Sequence, residues 1–249
     1  EPGRLYIVEF WATWCGPCIR GIPKLTEFQQ KHPDVQVISV AIWQREKTQA
    51  ERNQAVRDFV AKRAALATES QDPSLAMGYT VAVDQDRRTA EAWMDGAGQM
   101  GIPSAFIVGR AGQIEWIGHP TTDDQMTSAF DAYIAGQWNR DAFRQQYVEK
   151  HAFAIARGKV AAAIRRSQTT GSPVEALAIL DQAITTFPTA SEFRLDKLGL
   201  LMRTAPTRGQ TYARKLAQEQ WTDSATLNAM AWMMVDGTTT GPRDLDLAL

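Results

Sequence analysis

Apolar and polar residues alternate in blocks along the first 137 residues, in an order that predicts strands and helices in turn. The runs LYIVEFWA and DVQVISVAIW are mainly apolar and rich in β-branched and aromatic residues, as expected of buried parallel strands. YTVAVD predicts a third, short strand, and GIPSAFIVGRAGQIEWIGHP predicts two strands joined by a turn. Helical patterns follow in CIRGIPKLTEFQQKH, EKTQAERNQAVRDFVAKRAALA, RRTAEAWM and DDQMTSAFDAYIAG. This alternation predicts an α/β fold with a mixed sheet flanked by helices.

After residue 137 the pattern is helical only, broken by Gly, Pro and Thr. In EALAILDQAITTFP, Ala176, Leu180 and Ala183 share one helix face, and Pro188 is expected to end the helix. Small residues on that face let a second helix approach closely, which favours helical-hairpin repeats, with an ordinary helical bundle as the alternative. We therefore predict two domains, residues 1–137 and an all-α domain over 138–249. The second is expected to be truncated, because the chain ends within the helical pattern RDLDLAL.

Composition narrows the class of protein. The 249 residues are 44% hydrophobic and 22% charged with a net charge of −1, as is usual for a soluble globular protein. This balance gives no electrostatic reason to expect nucleic acid or an anionic membrane as a partner. No run approaches the roughly 18 apolar residues of a membrane span. Membrane association is thus expected only through a segment missing from this chain.

The two cysteines of the chain, Cys15 and Cys18, lie directly after the first predicted strand. Two cysteines cannot build a multi-disulfide scaffold. A structural zinc ion needs four ligands, whereas the three histidines are scattered at 32, 119 and 151. We therefore expect no metal and no bound cofactor, and interpret the cysteines as a redox-active pair.

The CGPC segment has the features of a reactive dithiol. Cys15 lies at a strand-to-helix junction, where unpaired backbone N–H groups and the helix dipole lower a thiol pKa. Gly16 permits a tight turn, and Pro17 suits the first helical turn because its missing N–H would be unpaired anyway. Cys18, one turn further, is expected on the same side but more buried. Cys15 is thus the predicted attacking sulfur and Cys18 the resolving one.

These residues carry a family resemblance. FWATWCGPC resembles the active-site motif of the thioredoxin superfamily, GIPSAFIV resembles its cis-proline segment with Pro103 at that proline, and Pro23 matches the proline of its active-site helix. The roughly sixty residues between VISVAI and Pro103 resemble the insert of the TlpA/ResA-like thiol-disulfide oxidoreductases. This resemblance covers about residues 4–136. ALAILDQAITTFP and TLNAMAWMMVDGTTTGPRDLDLAL resemble tetratricopeptide-type (TPR-like) helix pairs more weakly.

The resemblance implies roles for further residues. Glu9 stands where thioredoxin carries a buried acid, and burial would raise its pKa so that it could deprotonate Cys18. The alternative is a solvent-facing Glu9 on a strand edge. The lysine partner of that acid in thioredoxin has no match in VISVAIW. A cis Ile102–Pro103 bond would present the backbone of Ile102 to a substrate peptide, the alternative being an ordinary trans turn.

The implied substrate face combines exposed Trp14 with Gly16, Pro17, Ile102 and Pro103. The sequence thus predicts a thioredoxin-like thiol-disulfide oxidoreductase that reduces partner proteins and is itself reduced by an upstream electron donor. Family analogy implies a periplasmic or other extracytoplasmic location. Two alternatives stay open: a disulfide-donating oxidase or isomerase, and an interaction protein whose helical repeats bind a protein partner while the redox domain anchors or senses.

Overall fold

The computed structural model describes residues 1, 3–122, 124–219 and 222–235. Its five strands are β1 (Leu5–Trp11), β2 (Val35–Ala41), β3 (Thr80–Val83), β4 (Ser104–Val108) and β5 (Ile114–Gly118). Each lies within one of the four predicted segments, the last of which contains both β4 and β5, so the strand predictions are confirmed. The predicted helical pattern RDLDLAL, and with it the expected truncation, lies outside the described residues.

The strands form one mixed sheet in the order β3-β2-β1-β4-β5. The pairs β1–β2 and β2–β3 are parallel, whereas β1–β4 and β4–β5 are antiparallel. The central strand β1 leads directly to the cysteines, and its neighbour β4 begins one residue after Pro103. The sheet therefore brings two segments from distant parts of the sequence to one edge.

Four helices accompany the sheet: α1 (Gly16–Lys31), α2 (Gln49–Glu69), the short α3 (Arg88–Ala90) and α4 (Gln125–Ile134). A single 3-10 turn, Pro73–Leu75, follows α2, and a π-helical turn, Glu91–Asp95, continues α3. A full capping box between Thr48 and Glu51 fixes the start of α2. The segment from α2 to α3, with β3 inside it, occupies the stretch that the sequence predicts to be an insert.

The two faces of β1 lie in different parts of the core. Leu5 and Ile7 pack with α1 and α4, and Trp11 packs with both cysteines. Val8 and Phe10 point to the other face, toward Met94 and its neighbours. Because side chains alternate along a strand, Glu9 points to the face of Ile7 and Trp11, beneath α1. The fold is thus a thioredoxin-like mixed sheet with helices, as predicted.

The chain divides into two compact units between Ala152 and Phe153. The sequence predicts the division after residue 137, fifteen residues earlier. The difference arises from α5 (Arg140–Thr170), whose first half packs on the first unit. Trp138, just before that helix, donates a hydrogen bond to the Glu115 carbonyl (3.2 Å).

The second unit is helical throughout its described part. After α5 it contains α6 (Val174–Thr186), α7 (Ser191–Thr204), α8 (Pro206–Glu219) and α9 (Ser224–Val235). The predicted face of α6 is confirmed, since Ala176, Leu180 and Ala183 are all buried, together with Phe193 of α7. The TPR-like character of these helices stays a prediction.

Candidate active site

The cysteine pair lies at the N-terminus of α1. Cys15 and Cys18 form a disulfide with an S–S distance of 2.01 Å. Cys15 is the N-cap residue of the helix, and its Sγ accepts a hydrogen bond from the Cys18 backbone N–H (3.2 Å). In the reduced protein, this N–H and the helix dipole would favour a negative charge on Cys15. The proline Pro17 occupies the first helical turn, as the sequence predicts.

One detail of the sequence interpretation is wrong. Cys18 is not more buried than Cys15, since their exposed fractions are 4% and 3%. The proline segment explains this, because the Ile102 carbonyl oxygen lies 3.7 Å from Cys15 Sγ and shares in covering it. Gly16 is compatible with the turn, as predicted, although the turn does not depend on glycine. Gly16 has no positive φ, and a Cβ there would meet only the Arg20 guanidinium, at 3.5 Å.

The proline loop, residues 101–104, lies beside the disulfide. The Ile102–Pro103 peptide bond is cis, as the resemblance implies. The Ile102 carbonyl faces Cys15, and Ile102 packs partly buried against the cluster that contains both cysteines. The proline loop thus places the Ile102 carbonyl beside the disulfide.

Glu9 is buried, with an exposed fraction of 2%, so the alternative of a solvent-facing carboxyl is wrong. Burial raises its pKa from 4.5 to about 8, against the smaller lowering effect of a hydrogen bond from the Ser39 hydroxyl. Ser39 stands opposite Glu9 in the β1–β2 register, and buried Ala105 stands opposite on the other side. At neutral pH the carboxyl can hold or release a proton inside the domain.

Tyr79 belongs to the same buried region. It packs partly buried against both the cluster of Ile7 and the cluster of the cysteines. Its pKa is raised by burial first and then by the charge of Glu9. Ser39 and Tyr79 are the neighbours of Glu9 that sequence reasoning missed. The β-strand pattern placed Ser39 inside a strand, but the register that sets it opposite Glu9 is a property of the folded sheet.

Trp14 forms an exposed apolar surface next to Cys15, with 41% of its surface accessible. Its indole N–H donates to the Trp43 carbonyl (3.0 Å), and the Arg45 guanidinium lies 4.8 Å from its ring centre. Thr13 donates to the Gln44 side-chain oxygen (2.8 Å). The loop after β2 thus fixes the indole beside the disulfide.

The part of the chain that the structure describes contains no group of three or more His, Cys, Asp or Glu side chains placed to hold a metal ion. Nor does any helix in the described ranges combine the length and apolar character needed to cross a membrane.

The Redoxin family matches residues 1–134, which is more than half of the chain. The chain belongs to the Redoxin family. Its Redoxin domain is a thioredoxin-like thiol-disulfide oxidoreductase domain with a Cys-Gly-Pro-Cys pair. The match ends at the C-terminal end of α4, before the helical region begins.

Individual relatives match about half of the chain. The thiol:disulfide interchange protein HelX of Rhodobacter capsulatus is 29% identical over 136 residues, or 54% of this chain and 63% of that protein. The protein FixW of Rhizobium leguminosarum is 27% identical over 117 residues, covering 47% and 49%. The chain therefore spans less than two thirds of the length of either relative. A crystal structure of a putative thiol:disulfide interchange protein DsbE from Chlorobium tepidum is 25% identical with a TM-score of 0.38, covering 55% of this chain and 82% of that one.

Proposed function

We propose that the protein is a disulfide reductase that acts on partner proteins through Cys15 and Cys18. The observation that carries the proposal is the position of Cys15. Its Sγ is the N-cap acceptor of α1 and also lies beside the Ile102 carbonyl of the proline loop. One sulfur is thus both the group whose thiolate the helix favours and the group nearest to the predicted peptide-binding backbone.

The exchange transfers two electrons in two steps. In the reduced protein, the Cys15 thiolate attacks a substrate disulfide, forming a mixed disulfide and releasing one substrate thiolate. Cys18 then loses its proton and attacks Cys15 Sγ, which forms the intramolecular disulfide and releases the second substrate thiolate. The substrate is reduced by two electrons and the dithiol is oxidised to the disulfide described above.

Glu9 is the proposed acceptor of the Cys18 proton. Its burial beneath α1 and its raised pKa of about 8 support this role, because a group that titrates near neutrality can take and return a proton in each cycle. The hydrogen bond that the structure gives its carboxyl comes from Ser39. The proton would therefore pass directly or through a water molecule.

The proposed substrate face is formed by groups around Cys15. A substrate peptide would extend along the backbone of Ile102 and Pro103, with apolar contact to Trp14 and with Gly16 and Pro17 forming the adjoining turn. The exposed indole and the position of the Ile102 carbonyl support this arrangement.

The cycle needs a partner that returns the electrons and no bound cofactor, because the cysteines carry the electrons themselves. The donor is proposed to be another protein dithiol, which would exchange with the Cys15–Cys18 disulfide by the same chemistry in reverse. An extracytoplasmic location is proposed with it. The resemblance of the segment between VISVAI and Pro103 to the insert of the TlpA/ResA-like oxidoreductases supports that location.

The reduction potential of the Cys15–Cys18 pair tests the direction of electron flow. It is measured by equilibrating the protein with dithiothreitol or glutathione buffers. We expect a value close to the potential of about −270 mV that is typical of thioredoxin. A value near the roughly −120 mV of strongly oxidising relatives would make the protein a disulfide donor and contradict the proposed direction.

A further inference from the structure

The first half of α5 is attached to the first unit through Trp138 and Phe143, which pack against the core cluster of Ile7 and Trp116. A row of ring contacts continues from these two residues along the helix. Trp138 and Phe143 lie 5.5 Å apart between ring centres, Phe143 and Tyr147 lie 5.7 Å apart, and Tyr147 and His151 lie 4.3 Å apart. The spacing of four residues from Phe143 to His151 sets these side chains along one helix face. Tyr147 is thereby held in place by its ring, independently of its hydroxyl group.

The Tyr147 hydroxyl makes two hydrogen bonds to the segment that precedes the proline loop. It donates to the Ala97 carbonyl (2.7 Å) and accepts from the Gln99 side-chain N–H (2.5 Å). Because its one proton goes to Ala97, the phenol oxygen is free to accept from Gln99. The amide of Gln99 is thus oriented with its nitrogen toward Tyr147 and its oxygen away.

That amide oxygen points to the residue after Pro103. The Ser104 hydroxyl lies 3.0 Å from Gln99 Oε1 and 2.8 Å from the Gly101 carbonyl, so its single proton lies between these two acceptors. Gly101 and Ser104 are the two ends of the proline loop. The chain of hydrogen bonds from Tyr147 through Gln99 therefore reaches both sides of the cis peptide bond.

We propose that Tyr147 is a positioning residue for the proline loop and so sets the affinity of the Cys15 site for peptide substrates. The inference rests on the proposed role of that loop in binding substrate. It assigns a function in the redox site to a helix that lies beyond the part of the chain matched by the Redoxin family.

The physical argument separates binding from chemistry. A peptide that adds to the backbone of Ile102 needs that backbone already in place, since ordering it on binding costs free energy. Sulfur exchange between Cys15 and a small disulfide needs no such backbone contact. Loss of the Tyr147 hydroxyl should therefore raise the KM for a peptide and leave kcat and the small-disulfide reaction unchanged.

The test compares Tyr147→Phe with Tyr133→Phe in the full chain. Tyr147→Phe keeps the stacked ring and removes the hydroxyl. Tyr133→Phe is the matched control, because it removes a hydroxyl that accepts from the Arg110 backbone N–H (2.9 Å) at the other end of β4.

The substrates are an oxidised two-cysteine peptide and the small disulfide 5,5′-dithiobis(2-nitrobenzoate). For Tyr147→Phe we expect the peptide KM to rise about fivefold, the equivalent of one net hydrogen bond, with kcat within about twofold. The control should match the wild type on both substrates.

A double-mutant cycle tests the route of the effect. Ser104→Ala should raise the peptide KM as well. In the double variant, the KM should rise by less than the product of the two single fold-changes, because both substitutions act on Gln99. An unchanged peptide KM in Tyr147→Phe, or an equal loss on both substrates, overturns the proposal. If the wild type itself shows no saturable reaction with the peptide, the proposed function of the loop fails instead.

Discussion

The Ser39 hydroxyl donates a hydrogen bond to the Glu9 carboxyl across the parallel β1–β2 pair, and both residues are buried. This contact partly offsets the cost of burying an acid in the centre of the sheet. The thioredoxin resemblance implies a lysine on this neighbouring strand, and the segment VISVAIW contains none. A neutral hydroxyl stabilises the charged carboxylate less than an ammonium group does. The pKa of Glu9 thus stays raised, which suits a proton acceptor.

Replacing Glu9 with Gln should change how stability depends on pH. The pKa of Glu9 is about 8 in the folded protein, against an ordinary value of 4.5. Between these values the folded state keeps a proton that the unfolded state loses, so wild-type stability falls as pH rises from about 4.5 to about 8. Glu9→Gln removes that fall. Urea unfolding of the oxidised proteins should show little difference near pH 4 and a more stable variant at pH 9, by an amount on the order of a few kcal/mol.

The control for that experiment is Glu27→Gln, which changes an exposed carboxyl on α1. It should leave the slope of stability against pH as it is in the wild type. A Glu9→Gln slope that equals the wild-type slope would show that Glu9 is ionised in the folded protein at neutral pH.

The same Glu9→Gln variant should separate the two chemical steps. The first attack by Cys15 uses a thiolate that the helix N-terminus already favours, so its rate should stay within about twofold of the wild type. The resolving attack needs the Cys18 proton removed, and its rate should fall by roughly 10²-fold, the typical contribution of a general base. Stopped-flow measurements with a peptide disulfide report both phases. Equal rates for both steps in variant and wild type would rule out Glu9 as the proton acceptor.

Replacing Ser39 with Ala should raise the pKa of Glu9 further, because the hydrogen bond from Ser39 lowers it. We expect the infrared signal of the protonated carboxyl to persist to a higher pH than in the wild type. The matched control is Thr26→Val, which removes another buried hydroxyl, one that donates to the Ala76 carbonyl (2.7 Å). A titration midpoint that moves equally in both variants would attribute the shift to general loosening of the domain.

The division of labour between the cysteines can be tested although burial does not distinguish them. Only Cys15 combines the N-cap position with the contact to the proline loop. Cys18→Ser should therefore accumulate a mixed disulfide with a peptide carrying an activated cysteine, and Cys15→Ser should form at least tenfold less, in the range expected of a thiolate with a lowered pKa. Intact-mass spectrometry quantifies both adducts. Equal yields would contradict the assignment of Cys15 as the attacking sulfur.

The sequence predicts those parts of the site that depend on local order along the chain. The spacing of the cysteines after a buried strand is sufficient to place the pair at a helix N-terminus, and the apolar neighbours of Glu9 indicate its burial. Contacts between distant segments could not be predicted in this way. Tyr147 and Gln99 are 48 residues apart, and the first half of α5 has a helical pattern that does not show which unit it packs on. The equal burial of the two cysteines arises likewise from a loop that lies 87 residues beyond Cys15.

Phe193 lies in the core of the helical unit, and a substitution there tests how that core is packed. This side chain is fully buried, and its ring centre lies 5.5 Å from that of Phe153 and 6.0 Å from that of Phe187. Phe193→Ala would leave a cavity among these rings and should lower the free energy of unfolding of this unit by about 3–5 kcal/mol.

Val174→Ala, at a position that is 72% exposed, is the control and should change that free energy by less than about 0.5 kcal/mol. Far-UV circular dichroism during urea unfolding measures both. Exchange with a small disulfide depends on Cys15 and Cys18 of the first unit, so it should be unchanged in Phe193→Ala below its unfolding transition. A Phe193→Ala variant as stable as Val174→Ala would contradict the packing of α6 and α7 around this ring.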